Sequence, residues 1–581
     1  MKWIPNNIEI KINSDELPTA TLVSLDLEYS EDSNEIICIG IYDRSQYWSY
    51  TDNYSKVVSF LRKVNWVVAD GIHAELKILN KLYGGFSAKQ ILYDVKIMGY
   101  VFDSAAKDWS LKGMAKRYLG VERPTYSQLK KEYKFKSIAE LPEEVLIDYN
   151  GADCVDTWDL LQYFRKHFTR QQWEFYHKIE MPTNHLLAEV EAKGIKIDTK
   201  EVRRIHNEHS KKRRQKKKKL VEASGIQSFN PNSPKQVLPV LLAKGVRCKS
   251  TGEDEIKRWA SNPFVRNLLD YRGFQKITST YTIPLYTNAI AASDGRIHAR
   301  FTQNTVTGRL ASSDPINLQN QPSSVRSCFV AESGKLLLEV DWSNLELRLP
   351  AHFSGEPKFI DELSRPDGDL HKRTAELVFG REVNSLPDDV YTQRRQVAKT
   401  CNFLLTNSGS ANRLATELNC SQKEAEEIYK KFWEGYPVLA AWLKETKRQA
   451  RQEKGVSSMY GRWVTLPQLS LWCGRANCPV FGPNGFFCKE CYIREETERQ
   501  AISIKVQGTG SDLIKLAMLR LHREYGYVPV ATVHDSILSE EKEENIEEVK
   551  HNVKTVMESL VTLRVPLIAD LGIGKSWAEC K

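Results

Sequence analysis

KLLLEVDWSNLELRLPAHF spans residues 335–353 and opens with an apolar, strand-forming run that stops at Asp341. A carboxylate at a strand end can hold a metal ion, but aspartate is also an ordinary turn residue. A second strand run, VPVATVHDSIL (528–538), is interrupted by HDS (534–536), which predicts a hairpin with Asp535 at its tip. Between them lies RRQVAKTCNFLLTNSG (394–409), where Arg395, Lys399, Phe403 and Asn407 recur at every fourth position. A helix would align these four in one stripe. Two cations followed by an aromatic suit phosphates and a stacked ring. An amphipathic surface helix with a core phenylalanine would carry the same stripe, and two distant aspartates decide nothing alone.

The whole chain has 581 residues, which at about 150 residues per domain predicts roughly four units. Its 83 Lys+Arg against 74 Asp+Glu give a net charge of +9, and 41% hydrophobic with 27% charged residues exclude a disordered or collagen-like chain. No apolar stretch approaches the ~20 residues that span a bilayer. The opening MKWIPNNIEIKINSDELP has neither a signal-peptide core nor a transit pattern. The expectation is a soluble, multi-domain, cytoplasmic protein with no membrane partner. KKRRQKKKK (211–219) packs eight cations into nine positions. It reads equally as a solvated arm or as a contact for a polyanion.

Residues 1–170 alternate strand and helix: TLVSLDLEY (21–29), EIICIGIYD (35–43) and NWVVAD (65–70) as strands, HAELKILNKLYG (73–84) and 142–166 as helices. Asp26 and Glu28, two apart on a strand, emerge on one face. Tyr149 and Asp153, four apart on a helix, do the same. Hard carboxylate oxygens are what Mg²⁺ takes, and two such ions can activate a water and stabilise a leaving oxygen. From Arg170 to about Gly245 the pattern turns helical and charged, and strands return after Asp294. Ser421 and Glu424 have capping-box spacing. Cys473, Cys478, Cys488 and Cys491 form C-x₄-C-x₉-C-x₂-C, whose turn-rich spacing fits a Cys₄ zinc ribbon holding structural Zn²⁺.

In order along the chain, these segments resemble the DNA polymerase I family (family A). VDWSNLELR is similar to its motif A, RxxxKxxxF at 395–403 to motif B and VHD at 533–535 to motif C. TGRLASSDPINLQNQP (307–322), DLHKRTAELVFG (369–380) and ERQAISIKVQGTGSDLIK (498–515) match the intervening family segments. DLE (26–28) and YNGAD (149–153) resemble motifs of the family's 3′–5′ proofreading exonuclease domain.

The resemblance implies an RNase H-like exonuclease domain followed by a right-hand polymerase domain with a zinc-ribbon insertion, α/β throughout. Expected boundaries are 1–170 for the exonuclease, 171–293 for thumb and connecting helices, 294–355 and 501–581 for palm, and 356–500 for fingers. It further implies that Asp341 and Asp535 hold two Mg²⁺ ions, while His371, Arg395 and Lys399 grip the incoming dNTP. Lys399 would serve as general acid, Phe403 would pack on the nucleotide, and Glu346 would exclude a ribose 2′-OH. Arg309, Gln319, Arg499, Gln507 and His534 match contacts to primer-template DNA. In the exonuclease, Asp26, Glu28 and Asp153 would hold metal and Tyr149 would orient the attacking water.

Several positions depart from the family pattern. Gly71 and Glu75 stand where Asn and Asp are expected; Glu75 keeps the charge and is expected to serve as a catalytic carboxylate of a working exonuclease, with an inactive binding domain as the alternative. Asn407 replaces a tyrosine beside the template base, Ser503 an asparagine, and Ser536 an acidic residue. The cysteine segment is longer than the family's connection there, so the family supplies no role for it. The build, without room for a 5′-nuclease domain, resembles bacteriophage replicative enzymes. Helicase, single-strand binding protein or clamp partners are not legible. Rival readings are a DNA-binding protein with dead sites, a single-subunit RNA polymerase, and a dedicated exonuclease. Glu346 and Phe403 favour deoxynucleotides over the second.

Overall fold

The computed structural model describes residues 3–30, 35–69, 71–475, 478, 480, 487–533 and 535–580, without the side chains of Ile72 and His73. The N-terminal alternation folds into one six-stranded sheet of order β1-β4-β3-β2-β5-β6. Its strands are β1 (Glu9–Ile12), β2 (Leu22–Tyr29), β3 (Ile36–Tyr42), β4 (Gln46–Tyr50), β5 (Asn65–Val68) and β6 (Ile91–Asp94). Strands β2, β3 and β4 are antiparallel neighbours, β5 and β6 run parallel to β2, and β1 runs parallel to β4. The sequence patterns located β2, β3 and β5. They missed β1, β4 and β6, of which β1 is a largely exposed edge strand without an apolar alternation.

Among the helices of this unit, three position its site: α1 (Ile72–Leu82), α2 (Leu111–Met114) and α3 (Glu143–His167). Helix α3 packs across β2 and β3, and its Leu160, Leu161 and Phe164 join Val23, Leu25, Ile39, Ile41 and Trp66 in a fully buried core. Each such side chain contributes about 1.5–3 kcal/mol on burial. The helical run after Arg170 is shared between cores. Phe175, Tyr176 and Ile179 pack into the N-terminal core, whereas Leu186, Leu187 and Val190 on α4 (Met181–Lys193) belong to the next one.

The basic run lies on α5 (Thr199–Ser224), a helix capped by the Asp198 side chain. Only Val202, Ile205 and Leu220 of α5 are buried. Arg213 donates to Thr278 Oγ1 at 3.1 Å and Lys216 pairs with Asp270 at 2.7 Å. Lys211, Lys212, Arg214 and Lys217–Lys219 stay exposed.

A four-stranded antiparallel sheet forms the centre of the C-terminal half. Its strands are β7 (Lys335–Trp342), β8 (Ala531–Val533), β9 (Ser536–Lys542) and β10 (Ala569–Gly574), in the order β8-β9-β7-β10. Strand β7 thus pairs on both sides with strands about 200 residues later, a pairing that no local pattern announces. Chain between β7 and β8 supplies α6 (Leu345–Ser354), α7 (Leu370–Phe379), α8 (Asp388–Thr406), α9 (Gln422–Gly435) and the 37-residue α10 (Lys489–Tyr525). At α9 the structure shows one half of the expected capping box, Ser421 Oγ accepting from the Glu424 backbone N–H at 3.2 Å. No helix among the described residues is long and apolar enough to cross a membrane.

Candidate active sites

The central sheet brings Asp341 and Asp535 together. Val533 pairs with Ser536, so Asp535 lies in the tight β8–β9 turn. Val340 pairs with Ile537, which places Asp341 one step further toward that turn. On its other side Asp341 faces Asp570 of β10 in register. Partial burial of the strand end, and then the charges of Asp535, Asp570 and Glu339, push the Asp341 carboxyl up to about 6. Among the described residues no lysine or arginine pairs with Asp341 or Asp535. Repelling hard-oxygen groups without a compensating cation fit a divalent metal.

Sequence reading missed two of these carboxylates. Glu339 shares a face of β7 with Asp341, two residues away, and that spacing was a readable signal. Asp570 lies in a short strand whose partner only the tertiary fold reveals. Ser536, where an acid was expected, donates its hydroxyl to Glu339 Oε1 at 3.1 Å, so the carboxylate of that neighbourhood is on β7 instead.

Helix α6, which leaves β7, packs against α8. It carries Glu346, which pairs with Arg309 at 2.8 Å. The expected stripe is present on α8: Lys399 is exposed, Arg395 and Phe403 are half-buried, and Asn407 is the residue that ends the helix. Arg395 Nε donates to Asp369 Oδ2 at 2.8 Å, while Asp369 Oδ1 caps α7 by accepting from His371 and Lys372. An aspartate directly before a helix was a legible cap signal. His371 is buried, its ring 5.9 Å from that of Phe403, and Asn402 Nδ2 lies 2.9 Å from its Nδ1. Burial, and then Arg395, lower its pKa to about 4, so the imidazole is neutral at pH 7. With Nδ1 accepting from Asn402, the ring proton sits on Nε2.

A second group of carboxylates lies in the N-terminal sheet. One oxygen each from Asp26, Glu28 and Asp153 fall within 4.8 Å of one another. Asn150 Nδ2 donates to Asp26 Oδ2 at 2.7 Å and is itself aimed by Tyr47, whose hydroxyl donates to Asn150 Oδ1 at 2.7 Å. Gly40, opposite Asp26 in register, makes room for this: a Cβ there would lie 1.8 Å from Asn150 Oδ1. Tyr149 is buried edge-on against Trp3.

Lys112 of α2 was not anticipated. Its ammonium pairs with Asp153 and sits 4.3 Å from the centre of the Tyr149 ring. Burial lowers its pKa to about 8 against the opposing pull of Asp26, Asp156 and Glu28, so it remains mostly cationic at pH 7. Glu75 is buried in the first turn of α1 and does not join the three-carboxylate group. Gly71 precedes that helix at φ 95°, a conformation open to glycine and strained for the expected asparagine.

Comparison with known proteins bears on both halves. Residues 199–579 match the model of DNA polymerase family A. The chain belongs to this family. DNA polymerase I of Thermus filiformis is 33% identical over 487 residues, covering 79% of this chain and 55% of the relative. DNA polymerase I of Pseudomonas aeruginosa is 30% identical over 537 residues, covering 88% and 56%. The chain therefore spans about half the length of these curated relatives. A solved structure described as the POL domain of Pol1 from M. smegmatis in complex with DNA primer-template and dNTP has a similar fold. Its TM-score is 0.79 at 23% identity, over 96% of this chain and 95% of that one.

In this family A chain, Arg499, Ser503 and Gln507 share one face of α10 and are all partly exposed. Arg499 is held by Glu496 at 2.6 Å. Gln319 is largely buried and donates to Thr532 O at 2.6 Å, bracing strand β8 next to Asp535. His534 lies outside the described residues.

All four cysteines of the C-x₄-C-x₉-C-x₂-C segment converge, one sulfur each within 4.8 Å, as tetrahedral metal binding requires. A separate buried network ties the two halves together. Arg462 donates to Asp512 Oδ1 at 2.6 and 3.0 Å, pairs with Glu180, and donates to the Tyr100 hydroxyl at 2.5 Å. Lys515 completes it, 2.8 Å from Glu180.

Proposed function

We propose that this chain is a DNA-templated DNA polymerase extending a primer 3′-OH with dNTPs, and that its N-terminal unit is a 3′–5′ proofreading exonuclease. The observation that carries the first reading is the meeting of Asp341 and Asp535 at one sheet end, with α6, which leaves β7 just after Asp341, packed on the helix bearing Arg395 and Lys399. Family membership supports it, as does the fold shared with a chain described with primer-template and dNTP. The bacteriophage-type build is a reading of the sequence alone, and the curated relatives named above are bacterial. In this proposal the exonuclease occupies residues 1–170, the thumb and connecting helices 171–293, the palm 294–355 and 501–581, and the fingers 356–500.

Mg²⁺ held by Asp341 and Asp535 would supply Lewis acidity to the primer hydroxyl and neutralise charge on the triphosphate. Arg395, aimed by Asp369, and Lys399 attract the triphosphate, and Lys399 gives a proton to the departing pyrophosphate. Neutral His371 donates a hydrogen bond from Nε2 to a phosphate oxygen. Phe403 packs on the nucleotide, with Asn407 one turn further along the stripe. Glu346, braced by Arg309, fills the space of a ribose 2′-OH. Arg309, Gln319, Arg499, Gln507 and His534 meet the DNA, and the exposed lysines of α5 hold duplex phosphates. Primer extension on a recessed 3′ end tests this: dNTPs should be incorporated and rNTPs not. Equal use of rNTPs would overturn the role of Glu346. DNA binding without any extension would overturn the polymerase reading.

The exonuclease reading rests on the gathering of Asp26, Glu28 and Asp153, with Tyr149 orienting water. Lys112 supplies positive charge where a metal would otherwise supply it all. Lys112→Met should therefore tighten Mn²⁺ binding at this site about tenfold, a shift of about 1.4 kcal/mol, by removing a competing cation. Calorimetric titration in an Asp341→Ala background reads this site separately; unchanged affinity would show that Lys112 and metal do not compete.

Structural Zn²⁺ at the four cysteines is the remaining proposal. Purified protein should carry about one zinc per chain, and Cys491→Ser should lose it. Equal zinc in both would contradict the assignment.

A further inference from the structure

Three of the four cysteines have an exposed aromatic as a sequence neighbour. Trp472 precedes Cys473, Phe487 precedes Cys488 and Tyr492 follows Cys491. These rings are 69%, 48% and 41% exposed, and Trp472 is the most exposed large hydrophobic side chain among the described residues. The Phe487 and Tyr492 rings are tilted against each other with centroids 5.6 Å apart. Because the sulfurs converge, the three aromatics are brought to one small region although they span 21 residues of sequence.

Helix α10 fixes what this region is continuous with. At 100° per residue, Tyr492, Arg499, Ser503 and Gln507 fall within about 80° of one another on its surface. With a rise of 1.5 Å per residue, Tyr492 stands about 10 Å beyond Arg499 and about 22 Å from Gln507. Tyr492 therefore extends the proposed DNA-contact row along the same face of the helix, and Phe487, packed on Tyr492, joins the aromatic region to it.

We infer that the cysteine centre and Trp472, Phe487 and Tyr492 form a stacking platform for single-stranded DNA, the unpaired part of the template strand. The inference rests on the zinc reading for how the platform is held, and on the polymerase reading for which strand reaches it. Exposed rings near cations are how proteins hold unpaired bases without sequence preference. Four thiolates around one divalent metal leave two negative charges. Arg494, whose Nη2 lies 4.0 Å from Cys491 Sγ, and the sequence neighbours Arg475 and Lys489 offset them, while Glu490, whose Oε2 lies 3.6 Å from Cys488 Sγ, returns one negative charge. With little net charge, the platform binds through stacking and not through phosphate neutralisation.

The test is fluorescence anisotropy with a dT oligonucleotide, a primer-template carrying a 5′ template overhang, and the same duplex made blunt. Wild type is compared with Trp472→Ala, Tyr492→Ala and the Trp472→Ala/Phe487→Ala/Tyr492→Ala variant, with zinc content and thermal unfolding measured on each. These side chains are exposed, so the variants should keep their zinc and their unfolding midpoint. Each single change should weaken overhang and dT binding about tenfold, leave blunt-duplex binding unchanged, and leave the salt slope unchanged. Unchanged overhang binding by the triple variant with zinc retained would overturn the platform, as would an equal loss on blunt duplex. Wild type without stoichiometric zinc would instead overturn the metal reading, whatever the aromatic variants do.

Discussion

Asp341→Asn is expected to lower primer extension by at least about 10³-fold, because it removes a charge from the group proposed to hold the metals of phosphoryl transfer. DNA binding should persist, since the exposed cations of α5 are untouched. The wild-type carboxyl adds a pH signature. With a pKa of about 6, Asp341 must shed a proton to bind metal. The Mg²⁺ concentration for half-maximal extension should therefore rise about tenfold for each pH unit below 6.

Stability should move in the opposite direction. A carboxyl whose folded pKa lies above its unfolded value of about 4 binds protons more tightly when folded. Its stabilising contribution to metal-free protein is full below pH 4 and is lost as pH rises through 6. Thermal unfolding of metal-free protein should show that loss, and added Mg²⁺ should reverse it. An extension rate in Asp341→Asn within tenfold of wild type, or a metal requirement flat from pH 7 to 5, would contradict this account.

Arg462→Met is expected to destabilise the protein by about 3–5 kcal/mol, among the largest effects of any single change. The guanidinium is buried and serves Asp512, Glu180 and Tyr100 at once. Its removal leaves two buried carboxylates against the single ammonium of Lys515. Tyr100 belongs to the N-terminal unit and also donates to Thr305 O at 2.6 Å, so the loss should loosen that unit from the C-terminal half. Guanidinium unfolding followed by tryptophan fluorescence would show a lower midpoint, and Arg462→Met/Asp512→Asn should recover part of it. A midpoint equal to wild type would show that the network contributes little.

What could be read from sequence follows a physical division. Asp341, Asp535 and the α8 stripe lie where local rules apply: an apolar strand that ends in a carboxylate, a two-residue turn, a four-residue helical repeat. Cysteine spacing likewise anticipated a convergence that the fold produces. Asp570, Lys112 and the Arg462 network were invisible for one common reason. Each acquires its role from a partner tens to hundreds of residues away, and a lysine or aspartate in isolation reads as surface. Strand β1 escaped because an exposed edge has no apolar alternation to detect. At Gly71 the family pattern led to an expected asparagine, whereas the backbone there takes a positive φ that selects glycine.

The most direct test of the central claim is one primer-template labelled at the primer 5′ end, incubated with Mg²⁺ with and without dNTPs. Wild type, Asp341→Ala and Asp26→Ala are run side by side. The account predicts a crossed pattern: Asp341→Ala shortens the primer but does not extend it, and Asp26→Ala extends it but does not shorten it. Extension by Asp341→Ala at the wild-type rate, or loss of both activities in both variants despite intact folding, would contradict two separate metal-dependent centres.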